Sequence, residues 1–227
     1  MGTGASGSTA VAKTAWDENY LYVLADVTDS LLSKNSRNAH EQDSVEFFID
    51  QNKHQSSFYE VDDAQYRVNF DNEATFAGGV DRTRFKSAAK RTDHGYIVEA
   101  AIPLTAVTPS LDTLLGFDLQ VNNDQAGDGK RDSVAIWCDP SGMSYRDTSG
   151  LGTVQLVPSI VYLQKLVNQY AGNGSIDNGG IANSLLQKLD KEKLEPFVSE
   201  VKARRGKHIQ EAAADAMLKT AERLLLK

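Results

Sequence analysis

The chain has 227 residues, of which 41% are hydrophobic, so it is long and apolar enough to fold around a sizeable core. Its formal net charge of -7 argues against a nucleic-acid or anionic-membrane surface, because both need clustered Lys and Arg. The single cysteine, Cys138, excludes a disulfide within the chain and any metal site built from several cysteines.

The sequence as given shows neither the pattern of a membrane span nor that of an export signal. No apolar run approaches the ~18 to 20 residues that cross a bilayer. Met1 is followed by "GTGASGSTA" rather than by a basic and then apolar segment. A native start and a piece of a longer secreted polypeptide both fit this beginning.

Residues 8 to 157 predict short β-strands separated by turns. "STAVAKTAW" and "YLYVLADVT" flank "DEN", which reads as a three-residue hairpin loop at residues 17–19. Further strands are expected at residues 43–50, 64–70, 84–91, 95–102, 116–123, 133–139 and 153–157. About nine strands without a helical pattern between them predict a mainly β fold, an antiparallel sandwich or jelly roll.

The pattern changes at Pro158, after which apolar residues recur at intervals of three and four. Breaks at "AGNGSIDNGG", at Pro196 and at "RRGKH" divide this part into about four amphipathic helices. A bundle of ~65 to 70 residues is small for a self-sufficient core. The sequence therefore predicts a β-sandwich at residues 1–157 and a small α-helical bundle at residues 158–227.

The common enzyme motifs are absent from the sequence. It has no nucleophile elbow, phosphate-binding loop, zinc-binding H-E-x-x-H or dinucleotide-binding glycine motif. His54 and His94 are expected in solvated turns and His208 near a helix start, none at metal-ligand spacing. Carboxylate pairs of the kind that glycosidases use arise by chance among 31 acidic residues, so an intrinsic hydrolase is the least favoured alternative.

Two predicted strands place polar side chains on one face. In "NAHEQDSVEFFID", Glu46 points away from the apolar face of Val45. In "AQYRVNF", Arg67 and Asn69 lie two apart and share a face. With Gln120 on a third strand they form a surface of donors and acceptors without a nucleophile. The outer face of a sandwich is polar in any case, and periodicity alone favours a solvated face over a binding site.

The motifs "WDENYLYVLADVTD", "EQDSVEFFIDQN", "YEVDDAQYRVNF", "HGYIVEAAIP", "GFDLQVNND" and "WCDPSGMSYRD" resemble a family 9 carbohydrate-binding module, which is found appended to family 10 endo-β-1,4-xylanases. The resemblance covers residues 3 to 157 in order. It implies a non-catalytic β-sandwich that grips the end of a glycan, such as a reducing-end glucose or xylose. The tail, with "NSLLQKL", resembles the small helical FIMAH-type module at the ends of secreted bacterial glycanases.

The resemblance assigns hydrogen bonds with sugar hydroxyls to four polar side chains, Glu46, Arg67, Asn69 and Gln120. Two family tryptophans that sandwich the sugar correspond to His40 and Tyr145, and a family Asn corresponds to Gly142. A sugar presents flat apolar faces and an equator of hydroxyls, so aromatic rings and planar polar groups suit it. The smaller rings predict weaker binding than in the family and leave the ligand preference open.

Partners and context also follow from the resemblance. It implies a structural calcium ion, for which the acidic loops at residues 62–63 and 124–128 are candidates, and a sandwich shortened by an N-terminal strand. It implies a secreted, extracellular xylanase in which this chain is linked to an upstream catalytic domain and binds xylan, cellulose or their oligosaccharides. The alternative is a structural or protein-interaction end module without sugar binding, because His40 and Tyr145 replace both tryptophans.

Overall fold

A computed structural model describes residues 7–79 and 81–226. The chain divides into two compact units, Met1–Leu156 and Val157–Lys227, one residue before the boundary predicted from the sequence. The first six residues of the predicted β domain lie outside the described part of the chain. The first unit is a sandwich of antiparallel sheets and the second contains four helices, so the predicted fold class is confirmed.

Ten strands form the sandwich: β1 (Thr9–Trp16), β2 (Tyr20–Thr28), β3 (Ser44–Asp50), β4 (Asp63–Asn69), β5 (Ala74–Gly78), β6 (Lys86–Thr92), β7 (Gly95–Pro103), β8 (Leu114–Asn123), β9 (Ser133–Ile136) and β10 (Gly152–Gln155). The first sheet has the order β1-β2-β7-β6. The second has the order β10-β8-β3-β4-β5, and β9 also pairs with β8. The predicted loop at residues 17–19 joins β1 to β2.

The main core lies between the two sheets. In β2, alternate residues such as Leu21 and Val23 are buried, because successive side chains of a strand point to opposite faces. In β3, by contrast, all seven residues are buried. Its odd-numbered residues, such as Phe47, belong to the core face, whereas Glu46 and Phe48 lie on the other face. The second sheet is therefore partly covered on its outer face too.

Strand β5 is an element that the sequence does not predict, since "FDNEATFAGG" reads as turn chemistry. Residues 74–78 pair with β4 instead. Phe76 of β5 packs edge-on against Tyr66 of β4, with ring centroids 6.0 Å apart. Pairing with β4 and this aromatic contact stabilise a strand in a segment of low intrinsic strand propensity, because strand formation depends on neighbouring residues more than on propensity.

The helical unit consists of α1 (Ile160–Gly172), α2 (Gly179–Asp190), α3 (Leu194–Arg204) and α4 (Glu211–Leu225). Ser159 and Asn178 cap the first two helices by accepting backbone N–H groups. Pro196, predicted as a break, lies in the first turn of α3, where no N–H partner is required. Among the described residues, no helix is long and apolar enough to cross a membrane.

Candidate functional site

A cleft of about 430 Å³ opens on the outer face of the second sheet. Ten residues line it: His40, Glu46, Phe48, Gln65, Arg67, Gln120, Arg131, Val134, Gly142 and Tyr145. Of the six side chains that the resemblance assigns to a sugar site, all except Asn69 line this cleft. The structure therefore brings together residues that lie more than one hundred positions apart in the sequence.

Strand register explains why the polar residues meet. Glu46 of β3 stands opposite Arg67 of β4 on one side and opposite Gln120 of β8 on the other. Thr75 of β5 stands opposite Arg67 and extends this row across the sheet. Residues directly opposite in antiparallel strands point to the same face at about 5 Å, so the row is a direct product of register.

The carboxylate of Glu46 lies at the floor of the cleft, where the residue is only 2% exposed. Oε1 accepts hydrogen bonds from Nε of Arg67 at 2.6 Å and from Nδ2 of Asn122 at 2.7 Å, and Oε2 accepts one from Nε2 of Gln65. Such donors are what make a buried carboxylate tolerable. Three of the roughly four acceptor positions are thus used within the protein, and one is left for a ligand.

The guanidinium group of Arg67 is fixed by two partners. Besides the bond from Nε to Glu46, its Nη1 donates to Oγ1 of Thr75 at 3.0 Å. A guanidinium has five N–H donors in one plane. Arg67 therefore presents a preset plane with further donors to the cleft that it lines.

Asn122 links the polar floor to the rim. It is completely buried, and its Oδ1 accepts hydrogen bonds from Nε2 of Gln120 at 2.7 Å and from Nη1 of Arg131 at 2.8 Å. Its Nδ2 donates to Oγ of Ser44 as well as to Glu46. This amide therefore sets the positions of one floor residue, Gln120, and one rim residue, Arg131.

Sequence reasoning missed Gln65, Asn122 and Arg131. Strand periodicity could have revealed two of these residues. Gln65 stands two residues before Arg67 and Asn122 two residues after Gln120, which puts Gln65 on the same face as Arg67 and Asn122 on the same face as Gln120. Arg131 lies in the loop between β8 and β9, where no periodicity fixes the direction of a side chain.

Asn69 shares the strand face of Arg67 but lies outside the lining of the cleft. Its Nδ2 donates to Oε1 of Gln42 at 3.0 Å and to Oε2 of Glu73 at 2.7 Å. Its Oδ1 accepts the backbone N–H of Glu73 at 2.9 Å. The amide therefore holds the turn between β4 and β5, and a direct contact of Asn69 with a sugar stays a prediction.

Two rings stand at the rim of the cleft. His40 lies in a short 3₁₀ turn, Ala39–Glu41, with its side chain half exposed and Nε2 at 3.3 Å from Oε1 of Glu41. Tyr145 is 50% exposed, and the guanidinium carbon of Arg146 lies 5.6 Å from its ring centroid. The two positions that correspond to the family's tryptophans thus border the cleft. The rings of His40 and Tyr145 offer smaller aromatic faces than tryptophan would.

The loop before Tyr145 is anchored from below by Asp118. Its carboxylate accepts the backbone N–H groups of Cys138 and Asp139, both at 2.9 Å, and a bond from Oγ of Ser144 at 3.3 Å. Burial raises the pKa of Asp118, and these donors oppose that shift. Gly142 lies in this loop with φ of +68°, a region that glycine adopts readily.

A separate acidic cluster joins the end of β3 to the start of β4. One oxygen from each of Asp50, Asp62 and Asp63 lies within 4.8 Å of the others. Oδ1 of Asp50 is buried without a hydrogen-bond partner, and burial raises the pKa of Asp63 to about 6. Ca²⁺ takes carboxylate oxygens as ligands, so the three residues fit a calcium ion.

The other acidic loop predicted for calcium, residues 124–128, differs from this cluster. The carboxylate of Asp124 accepts the backbone N–H groups of Asp128 and Gly129 and the hydroxyl of Ser33. These donors already satisfy both of its oxygens. Both oxygens of Asp62 in the other cluster also accept hydrogen bonds, from Asn52, but no described residue donates to Oδ1 of Asp50, and this free oxygen makes the cluster around Asp50 the better candidate for the ion.

The chemistry of the cleft is that of binding rather than of cleavage. Among the described residues that line it, Glu46 is the single carboxylate, whereas most glycosidases place two on either side of the scissile bond. Planar donors and acceptors at the floor and rings at the rim match hydroxyl groups and apolar sugar faces. The fold and the cleft define a β-sandwich module that binds carbohydrate.

Residues 1–159 match the family described as "Carbohydrate family 9 binding domain-like". This match covers well over half of the chain, and the chain belongs to that family. The resemblance seen in the sequence is thus confirmed for the β unit. The family match ends at residue 159, so the likeness of the helical unit to FIMAH-type modules stays a prediction.

Relatives and solved structures agree with the family. The chain is 64% identical over 155 residues to "Endo-1,4-beta-xylanase C" of Paenibacillus barcinonensis, a match that covers 68% of this chain and 14% of that protein. A family 9 module from Caldicellulosiruptor kristjanssonii, solved in complex with cellotriose, is 35% identical with a TM-score of 0.64 and covers 67% of this chain and 77% of that chain. The same module has been solved with glucose, with the same identity and TM-score.

Proposed function

We propose that the cleft binds the end of a β-linked glycan chain, with glucose and cello-oligosaccharides as the best supported ligands and xylan chains as further ones. The observation that carries this proposal is the row of Gln120, Glu46 and Arg67 beneath a rim formed by His40 and Tyr145. A related family 9 module, solved in complex with cellotriose and with glucose, supports this proposal.

The fixed geometry of the floor favours a sugar over a flexible or apolar ligand. Arg67 is held in its plane by Glu46 and Thr75, so its remaining donors are preset for hydroxyl oxygens. Gln120 lines the cleft while its Nε2 is bonded to Asn122, which leaves its Oε1 as an acceptor. Little side-chain entropy is then lost when a ligand binds, because these groups are already ordered.

We further propose that this chain works outside the cell as part of a multidomain xylanase, covalently linked to an upstream catalytic domain. The chain spans about 14% of the length of the related xylanase. A tethered binding module raises the effective concentration of its enzyme at the polysaccharide surface without any new catalytic contact. Its role is then to hold the enzyme on xylan or cellulose.

Isothermal titration calorimetry with glucose, cellotriose and xylotriose tests the binding. The set includes cellotriose reduced to its alditol, because a site for the reducing end needs the closed terminal ring. We expect measurable heat with the first three sugars and about tenfold weaker binding of the alditol, since one or two hydrogen bonds of ~1 kcal/mol each are then lost. No heat with any of these sugars at millimolar concentration would refute the proposal.

A double substitution, Glu46→Ala with Arg67→Ala, shows whether the cleft is the site. Removing both partners avoids leaving one buried charge unpaired. The matched control is Asp71→Ala with Arg91→Ala, an exposed ion pair at 2.6 Å that does not line the cleft. Cleft variants that bind as tightly as the parent would favour the structural or protein-interaction module instead. Release of sugar from xylan by the isolated chain would favour a hydrolase.

A further inference from the structure

The cleft carries positive charge within an acidic unit. Residues 1–156 contain 13 Lys and Arg against 23 Asp and Glu, a net charge of -10. The lining of the cleft reverses this balance, with two guanidinium groups, Arg67 and Arg131, against the single carboxylate of Glu46. The hydroxyl groups of a neutral sugar need hydrogen-bond donors but no net positive charge.

The two guanidinium groups differ in their partners. Arg67 forms an ion pair with Glu46 at 2.6 Å, which compensates its charge. Nη1 of Arg131 bonds to the neutral amide oxygen of Asn122, and within the described residues no carboxylate forms an ion pair with this guanidinium. In the described part of the chain, Arg131 is therefore the guanidinium group of the cleft without an ion-paired carboxylate, although the Glu41 carboxylate at the rim is close enough to interact with its charge.

Arg131 is held in place at both of its ends. Its backbone N–H donates to Oε2 of Glu41 at 2.6 Å, a bond that lowers the pKa of Glu41. Its Nη1 is tied to Asn122, which is itself fixed by Ser44 and Glu46. A guanidinium fixed in this way keeps further N–H groups in one plane, the arrangement that binds a carboxylate with two parallel hydrogen bonds.

We propose that Arg131 makes the cleft selective for a glycan end that bears a carboxylate. Two kinds of sugar carry this chemistry: a uronic acid on a xylan chain, and an aldonic acid at an oxidised chain end. This inference rests on the proposed function, because it concerns the same cleft. It adds the class of ligand that the cleft prefers.

Matched titrations at pH 7 and low salt separate the two sources of the carboxylate. Xylotriose is compared with glucuronosyl-xylobiose, and the alditol of cellotriose with cellotrionic acid, because neither member of the second pair has a closed terminal ring. For at least one pair we expect the acid to bind about tenfold more tightly than the neutral sugar, because charge-assisted hydrogen bonds are roughly twice as strong as neutral ones. The pair that shows this preference identifies the source. In 0.5 M NaCl the preference falls, since salt screens an exposed charge.

Substitutions assign the preference to Arg131. In Arg131→Gln the ratio of acid to neutral affinity falls to about one, and in Arg131→Lys part of the ratio remains because the charge is kept without the planar fork. Lys130→Gln is the matched control, since it removes an equal charge from the neighbouring residue of the same loop, which does not line the cleft. Its ratio stays that of the parent.

The outcomes separate this inference from the proposed function. Neutral and acidic sugars binding equally to the parent, or an unchanged ratio in Arg131→Gln, would overturn the role of Arg131 while leaving glycan binding intact. No heat with any sugar would end both proposals together. If a thermal melt shows that Arg131→Gln is not folded, the ratio of acid to neutral affinity in the parent, and its dependence on salt, still decide whether the cleft prefers acidic sugars.

Discussion

Glu46 governs the cleft through its neighbours more than through its own exposed surface. It is 2% exposed, and its hydrogen bonds come from Gln65, Arg67 and Asn122, which line or support the cleft. Neutralising or removing this carboxylate would release all three side chains from fixed positions. Effects of Glu46 substitutions on sugar binding are therefore effects on geometry as well as on a contact.

Replacing His40 with a larger aromatic residue tests whether this position stacks on the sugar. Its ring lines the cleft and is half exposed, so a larger ring has room toward solvent. We expect His40→Trp to tighten cellotriose binding about fivefold, because a wider aromatic face adds ~1 kcal/mol of contact with the apolar face of a sugar. Calorimetry measures the change.

The control for this enlargement is His94→Trp. His94 is also half exposed and paired with a carboxylate, Asp26 at 2.9 Å, but it lies outside the cleft. This substitution leaves the affinity unchanged. Equal affinities for His40→Trp and the parent would make His40 a solvated loop residue rather than a stacking surface.

At the scale of elements, the sequence predicts what strand periodicity controls. The alternation in β3 and β4 places Glu46 and Arg67 on one face, and short turn signals mark most strand ends. Register between strands lies beyond periodicity, so the meeting of Gln120 with Glu46 is clear only from the structure. The direction of Arg131 depends on its bonds to distant residues, which no local pattern encodes.

The acidic cluster between β3 and β4 predicts a response to calcium. The three carboxylates of Asp50, Asp62 and Asp63 repel one another in the absence of a cation, and burial adds a desolvation cost. We expect 5 mM CaCl₂ to raise the melting temperature by about 5 °C over EDTA, as ~2 kcal/mol of binding linkage would in a chain of this size.

Asp50→Asn tests this response, because Oδ1 of Asp50 is the buried oxygen without a hydrogen-bond partner. The variant should lose most of the calcium-dependent rise. Asp26→Asn, which removes an exposed carboxylate on the other sheet, is the control and should keep it. A melting temperature that is the same in calcium and in EDTA would show that the cluster holds no ion of this kind.

The whole molecule combines two units of opposite charge and separate cores. The β unit has a net charge of -10, whereas residues 157–227 carry 11 Lys and Arg against 8 Asp and Glu. The helices pack around a core of their own, which includes Leu185, Phe197 and Val201. Every residue that lines the cleft belongs to the β unit. Sugar binding is therefore expected to be a property of the β unit alone.

Phe197→Ala tests that division. Phe197 is completely buried in the helical core, and removing such a ring costs about 3–5 kcal/mol, which matches all that a core of this size supplies. We expect the helical signal at 222 nm to fall while cellotriose affinity stays within twofold of the parent. Val161→Ala, at a residue 62% exposed on α1, is the control and leaves both readings unchanged. A matching loss of sugar affinity in Phe197→Ala would mean that the helical unit supports the cleft.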